Sequence, residues 1–259
     1  MAGWLNWHYW YVFPFAIVVS IVANASGFSG SVLFQPFFNF VLNLPLQQSI
    51  ATGVATETIG MSSGASRYLL MRKVDLCAVR RVVLAVLIGV MAGLFVLVRA
   101  PRNDLRLVVG LVVSVIALGQ LYQAALRRCG VAYNADLAVL RRFSAVSFLA
   151  GVFSACTGTG VAEMHQPLLE QQGGLATKRA NATAIVIEAV ADWAITVANL
   201  SLGNLRLDIL LFSTTGVMVG AQIGAHVSHR LPDRLLKAVF ALCVMGIGTV
   251  YVATSLWRW

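Results

Sequence analysis

No aspartate, glutamate, lysine or arginine precedes Glu57, and four further stretches, 82–98, 107–126, 143–162 and 238–257, carry none either. A hydrocarbon core of about 30 Å takes about 20 apolar residues at a rise of about 1.5 Å each, so such stretches read as membrane-spanning helices. Only 11% of the 259 residues are charged, against about 25% in a soluble domain. Little chain is left for one. The net charge of +9 comes from basic residues in short loops between apolar segments, which is a membrane topology signal and argues against a nucleic-acid partner. Cys77, Cys129, Cys156 and Cys243 form no CxxC pair, so neither a disulfide framework nor a metal site is expected. The N-terminus lacks a basic n-region, and no cleaved signal peptide is expected.

Sliding the sequence 131 positions onto itself pairs Gly27 with Gly158, Gln35-Pro36 with Gln166-Pro167 and Ala51-Thr52 with Ala182-Thr183. The same register pairs Glu57 with Glu188, Gly89 and Gly93 with Gly220 and Gly224, and Arg99 and Pro101 with Arg230 and Pro232. Apolar coincidences are cheap in this composition, but the Gln-Pro, Glu and Arg-x-Pro matches are not. Two homologous halves, 1–130 and 131–259, make up one membrane domain.

Each half reads as a helix (about 10–26 and 141–156), a small-residue break at Ser26–Gly30 or Thr157–Gly160, and a short piece (31–43 and 161–172) holding Pro36 or Pro167. Three longer helices follow, at about 47–66, 77–98 and 105–126, then 177–200, 207–228 and 234–256. The short pieces reach about 20 Å and cannot span alone; whether they re-enter or cross with a neighbour stays open. Either choice leaves an odd number of crossings per half, so the halves are expected to be inverted. Placing both termini outside leaves only Arg99, Arg102, Arg106, Arg206 and Arg258 of the 19 lysines and arginines there, as the positive-inside rule favours. The predicted fold is an all-α polytopic membrane protein: two inverted repeats of about five helical segments, with broken pieces at the midplane.

These features together resemble the TauE/SafE sulfite exporters, also called the toluene-sulfonate uptake permease family. The resemblance rests on Gly27 to Pro36, Ala51-Thr52, Gly203-Asn204-Leu205, Gly220 to Gly224 and Leu231-Pro232-Asp233-Arg234, and covers nearly the whole chain. The family's glycine run is diluted by Ser, Thr and Phe at both breaks. The resemblance implies a multi-pass protein of the bacterial inner membrane that exports sulfite or an organosulfonate such as sulfoacetate. A channel-like anion uniporter and a permease for a cation drawn by the acidic core are the alternatives. Membrane lipid is the other expected partner, and the sequence leaves a homodimer open.

A break in a membrane helix frees backbone groups that must face a cavity, a ligand or protein. The start of each short piece directs N–H donors and a positive dipole there, which suits an anion. Ser26, Gly27, Gln35 and Thr52, with Thr157, Gly158, Gln166 and Thr183, are the candidate substrate-binding residues. Glycines that merely permit close packing are the alternative; for Gly89-x-x-x-Gly93 and Gly220-x-x-x-Gly224 packing is favoured. Glu57 and Glu188 lie about ten residues into apolar helices, where a charge costs at least ~2.5–3.5 kcal/mol. A carboxyl there can hold a proton, and Asp192, one turn beyond Glu188, sharpens that tendency. His165 is a candidate relay, which makes Glu57, Glu188, Asp192 and His165 the expected proton-coupling set, alongside Glu163 in the same core. The competing reading is structural, as interhelical hydrogen bonds or pairing with a loop arginine. No HExxH, GxSxG or GxxxxGK[ST] occurs, so neither an enzyme, an ATP-driven pump nor a cofactor is expected. Trp4, Trp7, Trp10, Trp257 and Trp259 fit interfacial belts.

Overall fold

A computed structural model describes residues 7–26, 28–99 and 137–227, together with 110, 111, 114, 115, 118, 119, 242, 245, 246, 248–250 and 253. Every regular element among the described residues is helical. After a short 3-10 helix at Trp7–Tyr9 come α1 (Val12–Ser26), α2 (Ser31–Pro36, continued by a π-helical turn Phe37–Val41), α3 (Leu46–Leu70), α4 (Leu76–Arg99), α5 (Leu137–Thr157), α6 (Val161–Gln171), α7 (Thr177–Ser201) and α8 (Leu207–Val227). Of these, α4, α7 and α8 are long and apolar enough to cross a membrane. The predicted helices at 105–126 and 234–256 lie largely outside the described residues. The third helix runs to Leu70, a turn beyond its predicted end. Its last turn is held because Tyr68, almost fully buried, donates to the Asn24 carbonyl at 2.9 Å.

The short pieces fold back on the helices before them. Phe15 of α1 stacks on Phe37 with ring centroids 4.0 Å apart and meets Phe34 edge-on at 5.8 Å, while Val19 and Ala23 face Gly30. Rising numbers on α1 thus meet falling numbers on α2, which makes an antiparallel hairpin with its tip at Phe28–Gly30. The pair α5 and α6 repeats this, with Ser147 against His165 at 2.9 Å and Phe153 beside Gly160. The second tip turns through Gly158 at φ 71° and Gly160 at φ 125°, a left-handed backbone that a side chain would strain.

Helix contacts link the two halves in matched pairs. The glycine face of α8 lies along α1: a Cβ at Gly220 would meet Ser20 Cβ at 2.8 Å, and one at Gly224 would meet Asn24 Cβ at 3.0 Å. Likewise α4 lies along α5, where a Cβ at Gly93 would meet Ala155 Cβ at 2.7 Å. Without a strong hydrophobic drive between helices in lipid, such backbone-close packing is what holds them. At the centre α3 crosses α7 antiparallel, with Thr58 and Thr196 hydroxyls 2.7 Å apart and Trp193 Nε1 donating to Ser62 Oγ at 2.9 Å.

Loop geometry recurs at the 131-residue spacing. Asn43 (φ 54°) and Gly174 (φ 64°) turn the chain before α3 and α7, and Arg72 (φ 53°) and Gly203 (φ 70°) turn it after them. The Leu44 N–H reaches the Phe38 carbonyl at 3.0 Å just as the Leu175 N–H reaches that of Leu169 at 3.0 Å. Outward, α4 shows Leu84, Ile88, Met91 and Phe95, all more than half exposed, a surface suited to lipid.

Glycine-face packing makes a direct prediction. Gly220→Val forces α1 and α8 apart and is expected to cost about 1–3 kcal/mol or more, read as a lowered melting temperature and loss of the monodisperse peak in detergent. Gly119→Ala, where a Cβ meets nothing within 4 Å, should leave both unchanged.

Candidate functional site

The two hairpin tips meet each other. The Ser31 hydroxyl donates to the Gly158 carbonyl, and Gln35 Nε2 donates to the Thr157 carbonyl. Each tip carries backbone N–H groups that a continuous helix would have satisfied, and buried carboxylates take them up. Glu57, from α3, accepts from the Gly30 N–H on Oε1, and on Oε2 from the Ser29 hydroxyl at 2.6 Å and the Ser31 N–H at 2.8 Å. Glu163, in the first turn of α6, reaches back to the Gly160 N–H at 3.0 Å as a capping-box glutamate does. Its other oxygen accepts from the Ser29 N–H at 2.7 Å and the Thr159 hydroxyl at 3.1 Å. Glu163 thereby ties one hairpin to the other.

Two more acids complete the centre. Glu188 and Asp192 stand one turn apart on α7, both with 0% exposure. One oxygen from each lies within 4.8 Å of the other and of a Glu57 oxygen. The Ala162 N–H faces Glu188 without closing a hydrogen bond, and all four carboxylate oxygens of this pair are without a partner among the described residues. The site therefore holds two kinds of acid, one cradled by donors and one bare.

The predicted residues divide accordingly. Glu57, Glu188 and Asp192 come together, whereas His165 has both ring nitrogens engaged, Nε2 with Ser147 at 2.9 Å and Nδ1 with the Val161 carbonyl at 2.7 Å. Gln35, Thr157 and Gly158 meet at the tips. Gln166 donates to Glu170 at 3.1 Å, and its Oε1 is buried without a partner. Thr52 and Thr183 serve loops: their hydroxyl oxygens accept from the Arg206 N–H at 3.2 Å and the Asp75 N–H at 2.9 Å. Gly27 and the Ser26 side chain lie outside the described residues. Ser29, Ser31 and Thr159 were not among the predicted set, and Glu163 was noted without a role. Their signal was the spacing from Thr159 to Glu163 and the serines either side of Gly30, both capping chemistry more than ligand chemistry.

Replacing a cradled carboxylate oxygen by an amide turns an acceptor into a donor facing N–H groups. Glu163→Gln and Glu57→Gln are each expected to cost about 1–3 kcal/mol, roughly 5 °C in a thermal melt. Glu188→Gln and Asp192→Asn break no closed hydrogen bond and should melt at or above the parent temperature.

The model of the sulfite exporter TauE/SafE family matches residues 12–251. No curated protein and no solved structure matches the chain.

Proposed function

Because the chain belongs to the sulfite exporter TauE/SafE family, we propose that it is a secondary transporter exporting a small sulfur-containing anion, sulfite or an organosulfonate such as sulfoacetate, across the bacterial inner membrane. The family match over 12–251 carries this reading, and transport, not catalysis, is the activity it implies. We read the two halves, 1–130 and 131–259, as inverted repeats with both termini periplasmic. The support is the antiparallel crossing of the equivalent helices α3 and α7 and the matched turns at Asn43/Gly174 and Arg72/Gly203. In that reading the hairpins α1–α2 and α5–α6 enter from opposite faces and return.

The tips supply the mechanism. Their donors already hold Glu57 and Glu163, so an incoming anion competes with the protein's own carboxylates for the same N–H and O–H groups. Neutralising Glu57 frees those donors and lessens repulsion from Glu188 and Asp192. Anion occupancy and neutralisation of the acids are then linked, and the ion that neutralises them is the coupling ion. The proposed ion is a proton held by Glu57 and Glu188. Gln35, Gln166, Thr157 and Gly158 are the neutral groups around the anion, with Thr52 and Thr183 supporting the loops behind it. An anion leaving a cell that is negative inside already gains about 2.3 kcal/mol per charge per 100 mV, so a uniporter is the rival.

Purified protein in liposomes tests this. Saturable counterflow of sulfite or sulfoacetate is expected; single-channel conductance without counterflow would replace the carrier by a pore. Glu188→Gln should retain transport and flatten its pH dependence, and an unchanged profile would remove the proton from Glu188. Gln166→Ala, which removes the amide that donates to Glu170, should weaken substrate affinity roughly three- to tenfold, measured as the half-saturating concentration. For topology, Cys77 is exposed at the start of α4. With the other three cysteines replaced, it should react with an impermeant maleimide only from the cytoplasmic face.

A further inference from the structure

We propose that Glu57, Glu188 and Asp192 form a binding site for a small hard cation, seated where α3 crosses α7 and held by carboxylate oxygen alone. Acids gathered in a core are not by themselves a site. The second observation is the state of Glu188 and Asp192: fully buried, with four carboxylate oxygens that accept no closed hydrogen bond among the described residues. A buried polar atom left bare costs about 1–3 kcal/mol, more when charged. Among the four central acids bareness is confined to this pair, since Glu57 and Glu163 beside them have donors on both oxygens. One such oxygen from each of Glu188 and Asp192 converges on Glu57.

The spacing sets the ion's size. Three oxygens mutually within 4.8 Å enclose a point no more than about 2.8 Å from each, close to the range of about 2.3–2.6 Å for calcium–oxygen bonds. The donor set decides its class. Carboxylates suit hard cations, whereas zinc and softer metals draw on nitrogen and sulfur. Among the described residues the buried His165 and Cys156 are engaged elsewhere, His165 with Ser147 and Val161 and Cys156 with the Gly93 carbonyl at 3.4 Å. A cation here also bridges the two halves, since Glu57 belongs to one and Glu188 and Asp192 to the other. The inference rests on these acids being the coupling centre proposed above, and a bound cation would compete with protons for them.

The test uses full-length protein in detergent, stripped with chelator and kept in choline chloride at pH 8. Sodium, calcium, magnesium and manganese chlorides are titrated separately, with zinc as the borderline control and choline matching ionic strength. At least one hard cation should raise the melting temperature from a midpoint set by its Kd, the rise growing with the logarithm of concentration and reaching roughly 5–10 °C a hundredfold above that midpoint. Glu188→Gln and Asp192→Asn should each move that midpoint at least tenfold higher, while Asp208→Asn, at the surface pair with Arg206, leaves it unchanged. If one variant does not fold, the other decides. No cation effect beyond choline, a response unaltered in both variants, or stabilisation by zinc alone would each overturn the assignment. Cation binding is read here without any sulfur anion. Failure to transport sulfite therefore leaves this result standing, and transport without cation binding removes this inference alone.

Discussion

Broken backbone in a low-dielectric interior has to find partners within the protein, and this constraint organises the centre of the molecule. Each helical hairpin ends in a tip whose N–H groups lack the carbonyls that a continuous helix would have supplied. Glu57 and Glu163 satisfy the exposed donors at Ser29, Gly30, Ser31 and Gly160, and the tips complete one another through Ser31 to Gly158 and Gln35 to Thr157. Remove the acids and the breaks lose their partners; remove the breaks and two acids are buried without donors. Neither half of this arrangement is stable alone, so the hairpins, α3 and α6 form one unit.

The surrounding helices deliver that unit to the middle of the fold. Close approach at Gly220 and Gly224 fixes α1 against α8, and Gly93 fixes α4 against α5. Those contacts leave no room for sliding, because a single added carbon would meet a neighbouring Cβ at or below 3.0 Å at each of these positions. Hydroxyl contacts such as Thr56 with Ser213 at 2.7 Å and Thr58 with Thr196 at 2.7 Å set α3 between α8 and α7. Glu57 is thereby brought opposite Glu188 and Asp192 from a different half of the chain. Acids that would repel in isolation are held together by packing that has nothing to do with their charge.

An anion transporter with a negatively charged centre is a paradox only if the acids are always ionised and bare. Two of them already occupy the donors an anion would use, which makes them stand-ins for substrate. In the cation site inferred above, the other two hold a positive ion that lifts the repulsion. On the proposed function, selectivity and energy coupling then come from one cluster.

Sequence alone determined the membrane character, the helical segments, the residue matches at a 131-residue shift and the family resemblance. Each of these is carried by local composition and periodicity: the absence of charge, the length of apolar runs, and pairs such as Glu57 with Glu188. The packing role of Gly89, Gly93, Gly220 and Gly224 was legible for the same reason, since small residues one helical turn apart mark a close face. Tertiary structure decided the rest. The antiparallel pairing of each short piece with the helix before it follows from Phe15 meeting Phe37 and Ser147 meeting His165. Donors at the breaks looked available to an outside anion, but the sequence cannot say which distant side chain reaches them first; Glu57 and Glu163 do. Thr52 and Thr183 lie in equivalent positions beside the breaks in sequence, yet they serve loops at Arg206 and Asp75. Whether His165 joins the acids depended on the direction of its ring, and α5 turned it toward Ser147. Partner choice among polar groups is settled by distances across the fold, and a linear pattern does not contain them.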